Sequence, residues 1–427
     1  MDQPHPIQPW SFARKLGFRF AFLYWLLYGL PFPLSAVPWT GWITGPYSNG
    51  MDALVLWSGH HLLGIEREIP TAPTGSGDTT LAYVYLVCQI GIAVCGALVW
   101  SVLDRRRANY ARLAPWLWAY VRLLLATALI AYGSYKVIPS QFPKPSLDRL
   151  AQPFGEASPM GLLWTFMGAS AAYQMFSGAG ELLGGVLLFA RRTAVLGALV
   201  ATAVMAQVVM LNLAFDVPVK LYSGHLLAMA LFLLLPHARN LFDQFVLGRP
   251  AATLVRARLL ERPLWHRTAL VLRTLFLGYV AWQFMSTSLD GYRSYAVPPP
   301  SPFDGVWRVA SFDTGDTGPD GTTLDPGEPW TQLVVANSMR VAVTRASGAY
   351  ERLQLALEEG SKFTLTRRGD PGWQAELTYE MPTPERLSWT GTLDGRSVRI
   401  DFERRPARGY LLETRGFHWI NEVPFNR

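Results

Sequence analysis

Long apolar runs separated by short polar segments dominate the chain up to residue 288. A helix needs about 17 to 25 predominantly apolar residues to cross a bilayer. The pattern predicts seven such helices, of which the sixth is the shortest, at residues 17–37, 80–103, 115–139, 172–190, 193–215, 221–235 and 265–288. We therefore expect a membrane α-helical bundle in this part of the chain.

The pattern changes after residue 288. Residues 303–427 alternate between apolar and polar positions, and turn signals interrupt the alternation. Asp394 and Gly395 suit a type I′ turn between two strands, and Gly360 marks a second turn. About eight or nine short antiparallel strands in sequential order fit this region and favour an all-β, up-and-down closed barrel.

The start of this β region, FDGVWRV, contains Gly305 and Trp307. It resembles the Gly-x-Trp opening of lipocalin-like barrels. A late arginine such as Arg415 is then expected to cover the Trp307 ring by cation–π packing.

Composition supports the membrane interpretation. The chain has 427 residues, of which 50% are hydrophobic and only 16% are charged. An ordinary soluble enzyme is more polar than this. The formal net charge of +7 comes from short basic clusters between apolar runs, so it does not indicate nucleic-acid binding.

The distribution of basic residues predicts an orientation. One set of loops and flanks holds 15 Lys and Arg residues, and the opposite set holds only four. The positive-inside rule then places the N-terminus in the cytoplasm and, with seven spans, residues 303–427 outside. The basic N-terminal start superficially resembles a signal peptide, but Pro31, Pro33 and a poor cleavage site favour a retained anchor in the inner, cytoplasmic membrane.

The cysteines and one histidine pair carry little chemistry. Cys88 and Cys95 are seven residues apart in one apolar run, so they form no redox CxxC pair and fit packing positions. His60 and His61 are adjacent, which is poor geometry for chelation on a helix, and their segment fits an interfacial amphipathic helix. We expect no metal site.

Six polar side chains interrupt the apolar runs and form the candidate site. They are Lys136, Glu181, Asn212, Asp216, Lys220 and His225. Ionisable groups at bilayer depth cost about 3 kcal/mol or more, so they usually face a bundle interior and a partner. On the predicted topology nearly all six belong to the outer half of the bundle, and we expect them to line one polar cavity.

Two interpretations of these residues stay open. In the structural one, Glu181 pairs with Lys136 or His225, or stays protonated, and locks the bundle. In the functional one, Glu181 and His225 relay protons or contact the head group of a quinone or another amphiphile. Asp216 and Lys220 are four residues apart around a proline and favour a turn-stabilising pair.

The segments YGSYKVIPSQFP, GAGELLGGVLLFARRTAVLGAL and LNLAFDVPVK carry a family resemblance. Residues 115–247 resemble DoxX/DoxD-like integral membrane proteins, which implies a four-helix membrane bundle and draws attention to Lys136 and Glu181. The resulting organisation is a two-span region at 1–114, the bundle at 115–247, a cytoplasmic amphipathic segment with the seventh helix at 248–295, and an extracytoplasmic barrel at 303–427.

Members of that family are linked to membrane oxidoreductase complexes, including thiosulfate:quinone oxidoreductase. The resemblance therefore implies a subunit of an electron-transfer or thiol-stress complex, with a quinone or lipid-like ligand in an outward-facing polar cavity. An enzymatic role would be that of a quinone-linked oxidoreductase subunit. The alternative is a non-enzymatic carrier or scaffold whose external barrel captures an apolar ligand or a protein partner.

Overall fold

The computed structural model describes residues 9–250, 263–296, 303–314, 328–337, 340–358, 360–367, 370–406 and 409–426. The chain divides into two compact units. A helical unit comprises residues 1–138 and 175–289, and a barrel unit comprises residues 139–174 and 290–427. Residues 139–174, which interrupt the helical unit, are thus grouped with the barrel.

Helices form wherever the sequence predicts a membrane run. The helices are α1 (Phe12–Gly29), α2 (Gly41–His61), α3 (Thr80–Leu103), α4 (Ala114–Val137), α5 (Leu147–Leu150), α6 (Pro159–Ala169), α7 (Ala171–Phe189), α8 (Ala194–Ala214), α9 (Lys220–Leu234), α10 (Ala238–Phe245), α11 (Pro263–Ala296) and α12 (Leu411–Thr414). The first predicted run is too long at its C-terminal end, because Pro31 and Pro33 follow Leu30, whose backbone is already extended.

Five stretches in the described residues are long and apolar enough to cross a membrane, as expected of a membrane protein. They are Thr80–Leu103, Ala114–Val137, Ala194–Ala214, Lys220–Phe245 and Arg267–Ser294. The helices α1 and α7 are more polar, since α1 carries three basic residues and α7 carries Glu181. The count of seven spans therefore stays a prediction.

Four helices of the helical unit pack around a common core through small residues. A Cβ added at Gly178 of α7 would lie 2.8 Å from the carbonyl oxygen of Gly133 in α4. A Cβ at Gly184 would meet Ala201 of α8 at 3.5 Å. The α8 helix packs against α9, and α9 packs against α4. Small residues at these crossings let the backbones approach closely, as in other membrane bundles.

Hydrogen bonds between side chains and backbone groups identify which segments share an end of the helical unit. Asp78, just before α3, accepts hydrogen bonds from the backbone N–H groups of Lys220 (2.8 Å) and Leu221 (2.9 Å) and so caps α9. At the start of α1, Lys15 donates to the carbonyl oxygen of Arg107, which follows α3. The segment before α3 therefore meets the start of α9, and the start of α1 meets the end of α3.

The barrel unit contains eight antiparallel strands in sequential order, and β1 pairs with both β2 and β8 to close the barrel. This confirms the predicted up-and-down barrel. The strands are β1 (Gly305–Thr314), β2 (Trp330–Ala336), β3 (Arg340–Arg345), β4 (Tyr350–Leu357), β5 (Lys362–Arg367), β6 (Asp370–Thr383), β7 (Arg386–Leu393) and β8 (Arg396–Arg404). Asp394 and Gly395 both have positive φ, 52° and 77°, as a type I′ turn requires.

Side chains from all eight strands fill the barrel interior. Trp307 and Trp389 are completely buried there, and Trp307 Nε1 donates to the carbonyl oxygen of Phe303 at 2.8 Å. The guanidinium of Arg404 lies 5.0 Å from the centre of the Trp307 ring. The expectation that Arg415 covers this ring is wrong, because Arg415 lies over Phe425. The last strand, which pairs with β1, supplies the arginine instead.

The segment that follows α4 packs on the barrel. Helix α5 contacts β2 and β3. Arg352 Nε lies 3.5 Å from Oδ2 of the buried Asp148, and the Tyr350 hydroxyl donates to the Asp148 carbonyl oxygen. Arg352 also donates to Gln152 at 2.9 Å. These contacts explain why residues 139–174 belong to the barrel unit.

Candidate functional site

Lys136 and Glu181 form a buried ion pair inside the helical unit. The Lys136 ammonium is 2.8 Å from each Glu181 carboxylate oxygen, and both residues are at most 5% exposed. Lys136 lies in the last turn of α4, and Glu181 faces it from α7. Of the two partners predicted for Glu181, the structure selects Lys136 rather than His225.

Asn212 connects the end of α8 to the start of α9. Its amide nitrogen donates to Ser223 Oγ at 3.0 Å, and Ser223 in turn donates to the carbonyl oxygen of Val219 at 2.9 Å. Both Asn212 and Ser223 are buried. A buried amide with a satisfied hydrogen bond stabilises the crossing of two helices, so its geometry supports a structural role.

Asp216 and Lys220 form the predicted pair at the turn before α9. Lys220 Nζ lies 2.7 Å from Asp216 Oδ1 and 3.8 Å from Asp78 Oδ2. Asp216 has a positive φ of 50°, which the turn requires, and its side chain is 83% exposed. Exposed pairs contribute little to stability, so this one mainly fixes the position of the Lys220 ammonium.

His225 is held by hydrogen bonds at both ring nitrogens. Nδ1 is 2.6 Å from the carbonyl oxygen of Leu221, one turn earlier in α9. Nε2 is 2.6 Å from the Tyr24 hydroxyl of α1. The ring also stacks on Tyr28, with centres 4.4 Å apart and planes 8° apart. The position of the imidazole is therefore fixed by contacts on two helices.

An open groove of about 510 Å³ lies beside His225 and Tyr24 in the helical unit. Its walls come from α1, α3 and α9 and are mostly aromatic and aliphatic. The lining residues are Phe20, Ala21, Tyr24, Trp25, Tyr83, Lys220, Leu221, Gly224, His225, Ala228 and Phe232. An apolar groove with a few polar groups is the usual form of a small-molecule site.

The structure separates the six predicted residues. Lys220 and His225 line the groove, whereas Lys136, Glu181, Asn212 and Asp216 do not belong to its lining. The groove thus brings together two of the six residues, and a cavity shared by all six stays a prediction. The ion pair is connected to α9 by aromatic contacts: Tyr132 lies 5.6 Å from Lys136 Nζ, and its ring is 5.7 Å from that of Tyr222.

Sequence reasoning missed the contribution of α1. Phe20, Tyr24 and Tyr28 recur every four residues, so they share one helix face, but nothing in that spacing indicated that the face meets His225. Cys88 and Cys95 are free thiols on α3. Within the described parts of the chain, no three His, Cys, Asp or Glu side chains are placed to hold a metal ion.

Comparison with known proteins identifies one relative for part of the chain. A stretch of 129 residues, 30% of this chain, is 36% identical to the uncharacterized protein YwoB of Bacillus subtilis and covers 80% of that protein. The chain belongs to the YwoB family. The YwoB match extends over less than a third of this chain, and the name of YwoB states no activity. No family model and no solved structure matches the chain.

Proposed function

We propose that this protein is a DoxX-like inner-membrane protein that binds a quinone or another lipid-like amphiphile in the groove beside Tyr24 and His225. In this proposal it serves as a subunit of a membrane electron-transfer or thiol-stress complex. The observation that carries the proposal is the position of the fixed Tyr24–His225 pair in the wall of an open, apolar groove.

The chemistry of the groove fits an amphiphile. Phe20, Trp25 and Phe232 provide apolar surface for a ring or an acyl chain, while Tyr24, Lys220 and His225 provide polar contacts. Burial of apolar area supplies most of the binding free energy in such a site, and a small number of polar groups orient the ligand. A ligand with a polar head and an apolar tail can contact both the polar and the apolar residues of the groove.

The buried ion pair has a different role in this proposal. Lys136 and Glu181 satisfy each other through two hydrogen bonds and do not line the groove. We therefore assign them to bracing α4 against α7. Glu181→Gln should retain ligand binding, whereas a change in the groove wall should not.

The binding test uses the full chain in lipid nanodiscs, with decylubiquinone and a short-chain menaquinone, each in its oxidised and its reduced form, as probes and calorimetry as the measurement. Ala228→Trp inserts a large ring into the groove wall and should weaken binding by about tenfold or more. Leu231→Trp is the matched control, because Leu231 is an exposed residue of the same helix that does not line the groove. Equal binding by both variants, or no binding by the wild type, contradicts the proposal.

The alternative is a membrane-anchored carrier or scaffold that uses the external barrel. Its interior is packed with buried side chains such as Trp307, Phe363 and Trp389, which favours a protein partner on the barrel surface over an apolar ligand inside it. Deleting residues 303–427 separates the two functions. Quinone binding retained by the truncated protein supports the groove, whereas its loss would mean that the barrel, despite its packed interior, is needed for the ligand.

A further inference from the structure

The hydrogen bonds of His225 determine which atom carries a proton. The partner of Nδ1 is the Leu221 carbonyl oxygen, which can only accept, so Nδ1 must be the donor. In a neutral imidazole the other nitrogen, Nε2, is then an acceptor. The Tyr24 hydroxyl, 2.6 Å away, must therefore donate its proton to Nε2.

The surroundings of His225 favour the neutral ring. Its ring contacts are aromatic: Tyr28 is stacked at 4.4 Å, Tyr24 at 6.1 Å, and Trp25 meets it edge-on at 6.4 Å. The charged group that shares the groove wall is the Lys220 ammonium, which would repel an imidazolium. None of the contacts described for the ring is to a carboxylate.

A neutral His225 leaves Tyr24 as an acceptor. Once the Tyr24 proton is committed to Nε2, its hydroxyl oxygen retains lone pairs and no second hydrogen. Tyr24 lines the groove, so a ligand head group placed against this oxygen must bring its own donor. A carbonyl oxygen in the same position would face lone pairs and lose its hydrogen bond to water without replacement.

We infer that the groove selects amphiphiles whose head group donates a hydrogen bond, such as a phenol or the reduced, hydroxyl-bearing form of a quinone, over the corresponding carbonyl compounds. This inference rests on the proposed function, and Tyr24 is the residue that sets the preference. Lys220 is the competing donor in the groove wall: its ammonium pairs with Asp216 at 2.7 Å, and Lys220→Met removes it.

The test compares two ligands that differ only in the donor. The probes are 4-nonylphenol and its methyl ether, and the protein is the full chain in nanodiscs. The wild type should bind the phenol about tenfold more tightly than the ether, a factor in the range expected for one added hydrogen bond. Tyr24→Phe keeps the ring and should reduce this preference to about twofold or less, whereas Lys220→Met should retain it.

A second variant reverses the direction of the effect. His225→Phe preserves an aromatic ring for stacking on Tyr28 but removes the acceptor, so the Tyr24 proton becomes available to the groove. This variant should gain affinity for 4-nonylacetophenone, whose carbonyl accepts a hydrogen bond. The wild type should bind the same ketone weakly.

Each outcome has a distinct meaning. Failure of every probe to bind the wild type overturns the proposed function together with this inference. Equal binding of the phenol and the ether overturns the inference alone and leaves an amphiphile groove in place. A phenol preference that survives Tyr24→Phe, or disappears in Lys220→Met, also overturns it, because another group would then set the selectivity.

Discussion

The buried charged side chains described in the helical unit, Arg19, Lys136 and Glu181, are each held by specific partners. Arg19 of α1 is 1% exposed, and its guanidinium donates to the Tyr110 hydroxyl (2.8 Å), the Ser101 hydroxyl (2.7 Å) and the Asp104 carbonyl oxygen (3.0 Å). Lys136 and Glu181 satisfy each other in the same way. Removing such groups from water is costly, so partners of this quality are required for a stable fold.

The ion pair gives the first prediction. Lys136→Met leaves the Glu181 carboxylate buried without its cation and should lower the free energy of unfolding by about 3–5 kcal/mol. The double variant Lys136→Met/Glu181→Leu removes both charges and should recover most of that loss. The free energy of unfolding is measured in the same detergent for the wild type, Lys136→Met, Glu181→Leu and the double variant, which together form a double-mutant cycle. Additive losses would show that the two side chains do not depend on each other.

Asp401 of the barrel gives a prediction about pH. The Ser388 hydroxyl donates to its carboxylate at 2.6 Å, and Ser311 (2.9 Å) and Arg399 (3.7 Å) add to the effect, so the pKa of Asp401 lies below its ordinary value. A lowered folded pKa stabilises the barrel above the unfolded value of about 3.9, and this stabilisation is lost as pH falls through the folded pKa.

Asp401→Asn should therefore reduce the loss of stability that occurs when the pH falls from neutral to acid. Thermal unfolding of the full chain between about pH 3 and pH 7 measures the effect. The variant should be less stable than the wild type near neutral pH, and the difference should shrink toward pH 3. A difference that is constant across this range would show that ionisation of Asp401 is not the cause.

At the scale of elements, small residues determine how the helices approach. A Cβ at Gly178 would lie 2.6 Å from the Lys136 Cβ and 2.8 Å from the Val137 nitrogen, which leaves no room for a methyl group between α7 and α4. Gly185 continues this face, since a Cβ there would lie 3.0 Å from the Ala126 carbonyl oxygen. The two glycines also bracket Glu181, so the close approach helps to place its carboxylate beside Lys136.

Gly178→Ala should therefore separate α7 from α4 and weaken the ion pair. We expect a loss of stability of about 1–3 kcal/mol, typical of overpacking. The matched control is Gly91→Ala in α3, where an added Cβ meets nothing within 4 Å. That change should be neutral or stabilise the protein by up to about 1 kcal/mol through helix propensity. Thermal unfolding in one detergent compares the two, and equal effects would contradict the close-packing account.

At the scale of the whole molecule, side-chain contacts show which helix ends lie together. Asp78 before α3 caps α9, so these two helices begin at the same end of the helical unit. In the barrel unit, Asp148 after α4 contacts Arg352 of β4, which follows α11. The segments after α4 and after α11 thus belong to one body. Both relationships agree with the seven-span prediction.

The topology is tested with reporters fused to the full chain. Alkaline phosphatase after Arg427 should be active, because the enzyme folds only outside the cytoplasm, and a green fluorescent protein at the same position should stay dark. Insertion of the same reporters after Gly248, in a basic segment, should give the opposite result. Fluorescence after Arg427 would place the barrel in the cytoplasm and contradict the proposed orientation.

The helices and strands of this protein follow from local patterns in its sequence. Apolar runs long enough to cross a membrane predict the helices, and alternation of apolar and polar residues around an Asp394–Gly395 turn predicts the barrel. Both patterns can be recognised from neighbouring residues alone. Because a buried charge is costly, the sequence also indicated that Lys136 and Glu181 face the bundle interior, and it offered Lys136 as a possible partner of Glu181.

The contacts between distant residues depend on tertiary packing. Tyr24 and His225 are far apart in the chain, and their 2.6 Å hydrogen bond depends on how α1 packs against α9. The same packing separates the groove from the Lys136–Glu181 pair and brings Arg404, rather than Arg415, to Trp307. Periodicity fixes which face of a helix or strand is apolar, but the partner of that face follows from packing of the whole chain, which no local pattern records.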